Sequence, residues 1–198
     1  MDLANSGLPA GPHFRQPGAV RNIVYFDLET QKSAEEVGGW DRIRDMRMSL
    51  GVTYSTTRGG YRVYGESQVT ELLRELQRAD LVVGFNHLRF DYEVLQGYSP
   101  VDLTQNPNLD MMVDLKGRLG HRLGLDSIAD ATFGLNKTSE GLQALEWFKQ
   151  GKMAEIAEYC CFDVKITKLV HEFGVQNKQL FYKNRFGAML SVPVDWKV

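Results

Sequence analysis

The 198-residue sequence has two cysteines, four histidines and six prolines. It has no apolar run near the ~18 residues that a membrane-spanning helix needs. The two cysteines, Cys160 and Cys161, are neighbours. Adjacent residues do not normally close a disulfide, and a structural zinc site wants about four ligands in spaced pairs. A disulfide framework and a zinc finger are therefore excluded, and the pair reads as two reduced, buried thiols in a cytoplasmic protein. An excess of positive charge is missing too. Lysine and arginine number 23 against 25 acidic residues, a net charge of −2. That excludes a basic arm that binds nucleic acid by bulk attraction, though not a local basic patch. Hydrophobic residues make up 43% and charged residues 24%, so the chain is neither disordered nor highly charged. Its length fits about one domain of ~100–200 residues, with no internal repeat or low-complexity tract.

Residues 1–20 carry glycine, proline, serine and asparagine without an apolar period or a signal-peptide core, and read as a flexible leader. Asn22–Thr30 is β-branched and aromatic and predicts a central strand. Met46–Tyr54 and Tyr61–Tyr64 predict two more, with Arg58-Gly59-Gly60 as the turn between them. A helix is expected over Gln68–Gln77, a buried strand over Asp80–Phe85 and a helix over Asp91–Gln96. Met111–Leu115 reads as a strand, and Leu123–Phe133 and Glu140–Lys149 as helices. The longest helix spans Met153–Phe173, with Gly174 as its stop. Gln179–Lys183 and Ala188–Val194 form a terminal β-hairpin. The order implies an α/β fold: a mixed sheet, antiparallel for three strands and then parallel, flanked by helices as in ribonuclease H-like proteins. The main domain is expected over 21–175, with the hairpin of 176–198 appended to it.

Carboxylates interrupt this apolar pattern in three places. Asp27 and Glu29 share one face of the first strand, with Cα atoms ~6.5–7 Å apart. Their side chains can reach a common cation, although the frayed end of a strand would also carry them. On the long helix, Ile156, Tyr159, Asp163, Ile166, Val170 and Phe173 form a single stripe, apolar except for Asp163 and the Tyr159 hydroxyl. An ionised carboxylate there needs a metal, a proton or a buried partner. Asp91 shares a helical face with Leu88, Tyr92 and Leu95. It fits either a buried ligand or a surface acid favoured by a helix N-terminus. Together the four acids offer hard oxygen ligands for two divalent cations such as Mg²⁺ or Mn²⁺.

Three segments resemble the motifs of the four-acid 3′–5′ exonucleases of the ribonuclease H-like superfamily. Phe26-Asp27-Leu28-Glu29-Thr30 resembles the first motif. Gly84-Phe85-Asn86-His87-Leu88-Arg89-Phe90-Asp91 resembles the second, and Tyr159-Cys160-Cys161-Phe162-Asp163 the third. A tyrosine four residues before the last acid marks the Tyr (DEDDy) branch. The His branch wants a histidine five residues before it, where this chain has Glu158. The likeness spans about Ile23 to Phe173 and is greatest to bacterial ribonuclease H-like exonuclease domains, some of them fused to helicases.

The resemblance implies that Asp27, Glu29 and Asp163 hold one divalent ion and that Asp27 bridges to a second. It implies that Asp91 acts mainly through bound water and that Tyr159 orients the attacking water. By the same likeness Leu28 and Thr30 lie beside the terminal nucleotide, and Asn86 holds the substrate backbone or supports Asp91; His87, inside the second motif, is a candidate to approach the substrate. Arg118 and Arg122, in the basic glycine-rich stretch 116–122, suit phosphate contacts or a solvated loop equally well. The expected substrate is a single-stranded 3′ end of DNA or RNA, with a helicase or polymerase partner left open. A structure-selective endonuclease and a non-catalytic nucleic-acid-binding module are the rival readings on the same fold. Among the remaining side chains, His121 and His171 read as surface. Trp40, Tyr61, Tyr64 and Trp147 read as core or half-buried aromatics, with base stacking the less common use.

Overall fold

The computed structural model describes residues 21–135 and 141–197. The leader of residues 1–20 and the turn residue Asn136 lie outside the described residues. Strand β1 (Ile23–Thr30) sits in the middle of a five-stranded sheet. It pairs antiparallel with β2 (Met48–Ser55) and parallel with β4 (Leu81–Gly84). β3 (Gly60–Gly65) closes one edge antiparallel to β2, and β5 (Asn108–Asp110) the other, parallel to β4. The order is β3-β2-β1-β4-β5, the mixed sheet expected from the element order.

Both faces of β1 are covered, so Ile23 to Phe26 are all buried. Alternation then divides the strand between two cores. Ile23 and Tyr25 pack in the core that holds the long helix α7 (Met153–Asn177). Val24, Phe26 and Leu28 pack in the opposite one, with α2 (Val69–Gln77) and α3 (Asp91–Gln96). Asp27 and Glu29 continue the Ile23–Tyr25 row and so point to the α7 side. The register with β2 shifts between Glu29 and Thr30, a bulge where β1 leaves the sheet. Of the remaining helices, α1 (Ala34–Val37) follows β1 at once, capped by Ser33 with Glu36 in return. Then come α4 (Met111–Leu119), α5 (Leu125–Phe133) and α6 (Gly141–Lys149). The hairpin of β6 (Gln179–Lys183) and β7 (Met189–Pro193) buries Leu180, Tyr182 and Val192 in the α7-side core. Among the described residues, no helix is long and apolar enough to cross a membrane.

Four expectations are corrected. Met111–Leu115 is helical, and the strand is the short Asn108–Asp110 before it. Asp110 ends β5 and caps α4, accepting the Val113 N–H at 3.2 Å. Gly174 does not stop α7, which continues to Asn177 and ends at Lys178 in the left-handed region (φ 58°). The glycine is needed for packing instead: a Cβ there would lie 2.6 Å from the Trp196 ring. His171 is fully buried, its Nδ1 2.9 Å from the Tyr25 hydroxyl. Trp40 is 67% exposed and tilts against Phe90, with ring centroids 6.3 Å apart.

Candidate metal centre

Asp27 and Glu29 leave the sheet on the face that α7 crosses. α7 buries Ile156, Ile166 and Val170 against the sheet, and the helical period turns Asp163 to the same side. Carboxylate oxygens of Asp27, Glu29 and Asp163 thus all lie within 4.8 Å of one another. The two strand acids are half-buried and Asp163 is buried. Tyr159, one turn before Asp163, is also buried, with its ring edge-on to Trp147 of α6 at 6.1 Å.

Such crowding is costly for bare carboxylates. Burial pushes the Asp27 carboxyl well above the usual carboxylate range, and the charges of Asp91, Asp163 and Glu29 push the same way. A thiol opposes them: Cys160 Sγ lies 3.4 Å from Asp27 Oδ2 and 3.5 Å from the Asp27 carbonyl oxygen. Cys160 is buried and Cys161 half-buried, and both are free thiols. Three mutually repelling hard oxygen donors converging on one point are the donor set of a Mg²⁺- or Mn²⁺-type ion. The residues fit such a cation.

Asp91 is brought close without joining that trio. It opens α3, is 3% exposed and accepts the Leu28 N–H at 3.0 Å. Burial pushes it up to about 7, against the hydrogen bonds from its own N–H and that of Leu28. The surface-acid reading of Asp91 is therefore excluded.

The loop between β4 and α3 is held by a carboxylate that the sequence reading passed over. Asp110 accepts the backbone N–H of Asn86 at 2.9 Å and of Leu88 at 3.1 Å, besides capping α4. Its signal was present in Asn-Leu-Asp at a strand end before a helix. Asn86 takes the left-handed conformation (φ 68°) that this turn requires. His87 does not face a substrate: it is fully buried, with Nε2 3.2 Å from Asn108 Oδ1 and Nδ1 3.7 Å from Asp110. Burial holds its imidazole below the ordinary value. Gly84 makes room for it, since a Cβ there would lie 2.7 Å from His87 Nδ1.

The other expected substrate contacts divide similarly. Leu28 is packed into the α2-side core, and Thr30 is buried with its hydroxyl donating to the Lys32 carbonyl. Arg118 is fastened to Asp114 at 2.7 and 3.1 Å and to the Pro193 carbonyl at 3.2 Å. Arg122 is exposed, and its Nη2 donates to Asn86 Oδ1 at 3.3 Å. Of this set, Asn86 and Arg122 are the pair brought together at the surface.

No protein-family model matches the sequence, and no curated protein matches it. Among the solved structures that match is the family B DNA polymerase of the hyperthermophilic archaeon Pyrobaculum calidifontis, at 14% identity and a TM-score of 0.61. The match covers 79% of this chain and 25% of the polymerase, so the chain spans about a quarter of that protein's length. At this identity the likeness is one of fold. The chain has a ribonuclease H-like α/β fold, with an acidic cluster at the end of its central strand.

Proposed function

We propose that the protein is a metal-dependent 3′–5′ exonuclease of the Tyr branch of the four-acid superfamily. It would release nucleoside monophosphates from single-stranded ends of DNA or RNA. The observation that carries the reading is the convergence of Asp27, Glu29 and Asp163 within 4.8 Å, from elements 136 residues apart in sequence. Residues 21–175 would form the catalytic domain, with the hairpin of 176–198 appended to it, and two free thiols suit a reducing cytoplasm.

Asp27, Glu29 and Asp163 would hold one divalent cation, and Asp27 would share a second with Asp91 through water. Bound Mg²⁺ or Mn²⁺ supplies an acidified water and neutralises charge on the scissile phosphate. Tyr159 would orient that water through its hydroxyl as a hydrogen-bonding group. Cys160 would steady the Asp27 carboxylate in the pose that binds the ion. Asp91, tied to the Leu28 N–H, would keep α3 against the end of β1. Asn86 and Arg122 would meet the substrate backbone.

The test is a 5′-labelled single strand, DNA and RNA in parallel, with Mn²⁺, Mg²⁺ or a chelator, and Asp27→Ala alongside. A metal-dependent ladder shortening from the 3′ end, absent in the variant, is expected. Cleavage that persists in Asp27→Ala, or that opens a circular single strand, overturns the assignment.

A further inference from the structure

A polar concavity lies on the face of the sheet opposite the acidic cluster. Alternation carries Asp27 and Glu29 to the α7 side. Arg62 of β3 is in register with Thr53, on the same face of β2 as Gly51, where an added Cβ would lie 3.0 Å from Leu72 of α2. Arg62 therefore stands on the α2 side. It is two strands across from β1, roughly 10 Å at the usual strand spacing. Arg74 extends from α2 and Arg78 from its C-cap beside it, and Arg58 from the turn before β3. Together they line a depression of about 450 Å³.

Four guanidinium groups converge here with two carboxylates, Glu71 and Glu75. Glu75 is already engaged. Arg58 Nη1 donates to it at 2.5 Å, the Thr53 hydroxyl at 3.2 Å, and the Tyr64 hydroxyl bonds it as well. Arg62 lies over the Tyr64 ring, 4.9 Å from its centroid. Arg62, Arg74 and Arg78 are exposed, and among the described residues none of the three makes an ion pair. The groove's cations are all arginine, whose planar fork matches phosphate oxygens two at a time. The residues lining it are all polar or charged. A protein partner would seek an apolar anchor at the centre of its interface, and this groove offers none. A phosphodiester backbone needs no such anchor.

We propose that this groove is a non-catalytic contact for the phosphate backbone of single-stranded nucleic acid, engaging the strand away from the end held at the acidic cluster. The proposal rests on the exonuclease reading for the identity of its ligand. A strand leaving the cluster would round the β3 edge to reach the groove, so the contact should serve long strands and not short ones.

The test is the triple variant Arg62→Gln, Arg74→Gln, Arg78→Gln, whose three positions are exposed. Binding of a long labelled single strand is followed by fluorescence anisotropy in chelator across a salt series, and hydrolysis of a trinucleotide is followed with Mn²⁺. Losing three phosphate contacts should make the log–log salt slope shallower by about 2 and weaken binding at 0.1 M salt on the order of tenfold to a hundredfold. Trinucleotide hydrolysis should be unchanged. Unchanged affinity and slope overturn the groove while leaving the exonuclease intact. If the wild type binds the strand through these arginines but cleaves nothing, the groove stands and the nuclease reading falls. Loss of binding to a polyglutamate peptide, with strand binding unaltered, overturns the proposal in favour of an acidic protein.

Discussion

The backbone N–H of Leu28 donates to Asp91 Oδ1 at 3.0 Å. Leu28 lies between Asp27 and Glu29, so the acid of the second motif is bonded to the strand of the first. Its charge reaches Asp27 directly, as one of the three carboxylates that disfavour ionisation there. A site built this way carries repulsion that a bound cation would relieve.

Divalent metal should therefore stabilise the fold. Mn²⁺ at about 100 times its dissociation constant is worth ~2.7 kcal/mol. For a chain of this length that is a rise in melting temperature of roughly 5–10 °C. Asp163→Asn should lose most of the rise, as read by thermal unfolding with and without chelator. An equal rise in the variant would show that the three-acid cluster is not the site.

Tyr159→Phe keeps the ring against Trp147 and removes only the hydroxyl. Turnover should drop on the order of 10²-fold, while the melting temperature and the metal-induced rise stay as in the wild type. Full turnover in the variant would remove Tyr159 from the mechanism.

Gly84 and His87 form a lock that stability measurements can open. Gly84→Ala forces a methyl group to 2.7 Å from the buried imidazole and should cost about 1–3 kcal/mol. The urea midpoint reads this directly. In a His87→Ala background the two ring contacts are gone and only the Cβ of residue 87, at 3.0 Å, remains, so the same substitution should cost less. An undiminished cost there would assign the effect to the backbone.

His171 makes stability depend on pH. It is fully buried, and burial holds its imidazole at about 4 against an ordinary 6.5, with the Arg21 charge adding to the effect. The folded protein keeps this histidine neutral, whereas the unfolded chain binds a proton below pH 6.5. Its contribution is therefore whole above pH 6.5 and is lost as pH falls toward 4, about 3 kcal/mol in all. His171→Asn keeps a polar side chain at the position and does not titrate. The difference between wild-type and variant urea stabilities should grow against the wild type across that window. A flat difference would refute the assignment.

The site was legible where its geometry is local. Strand alternation put Asp27 and Glu29 on one face, and the helical period put Tyr159 and Asp163 on one stripe. Those relations follow from backbone repeat alone, whatever the chain packs against. Met111–Leu115 misled because a short apolar run has no decisive period, and the deciding residue, the capping Asp110, lies just before it. His171 misled because its partners, Tyr25 and Trp196, are 146 and 25 residues away.

By itself, then, the sequence determined most of the order of elements, the faces on which the acids stand, and the hard oxygen donors those acids offer. Tertiary structure decided which faces meet. It set α7 across the end of β1, turned His87 inward beside Asp110, and fastened Arg118 to Asp114. It also gathered arginines from β3, α2 and the turn between β2 and β3 into one groove. Local periodicity fixes a direction along one element; distance between elements depends on sheet order and packing, which the whole chain sets at once.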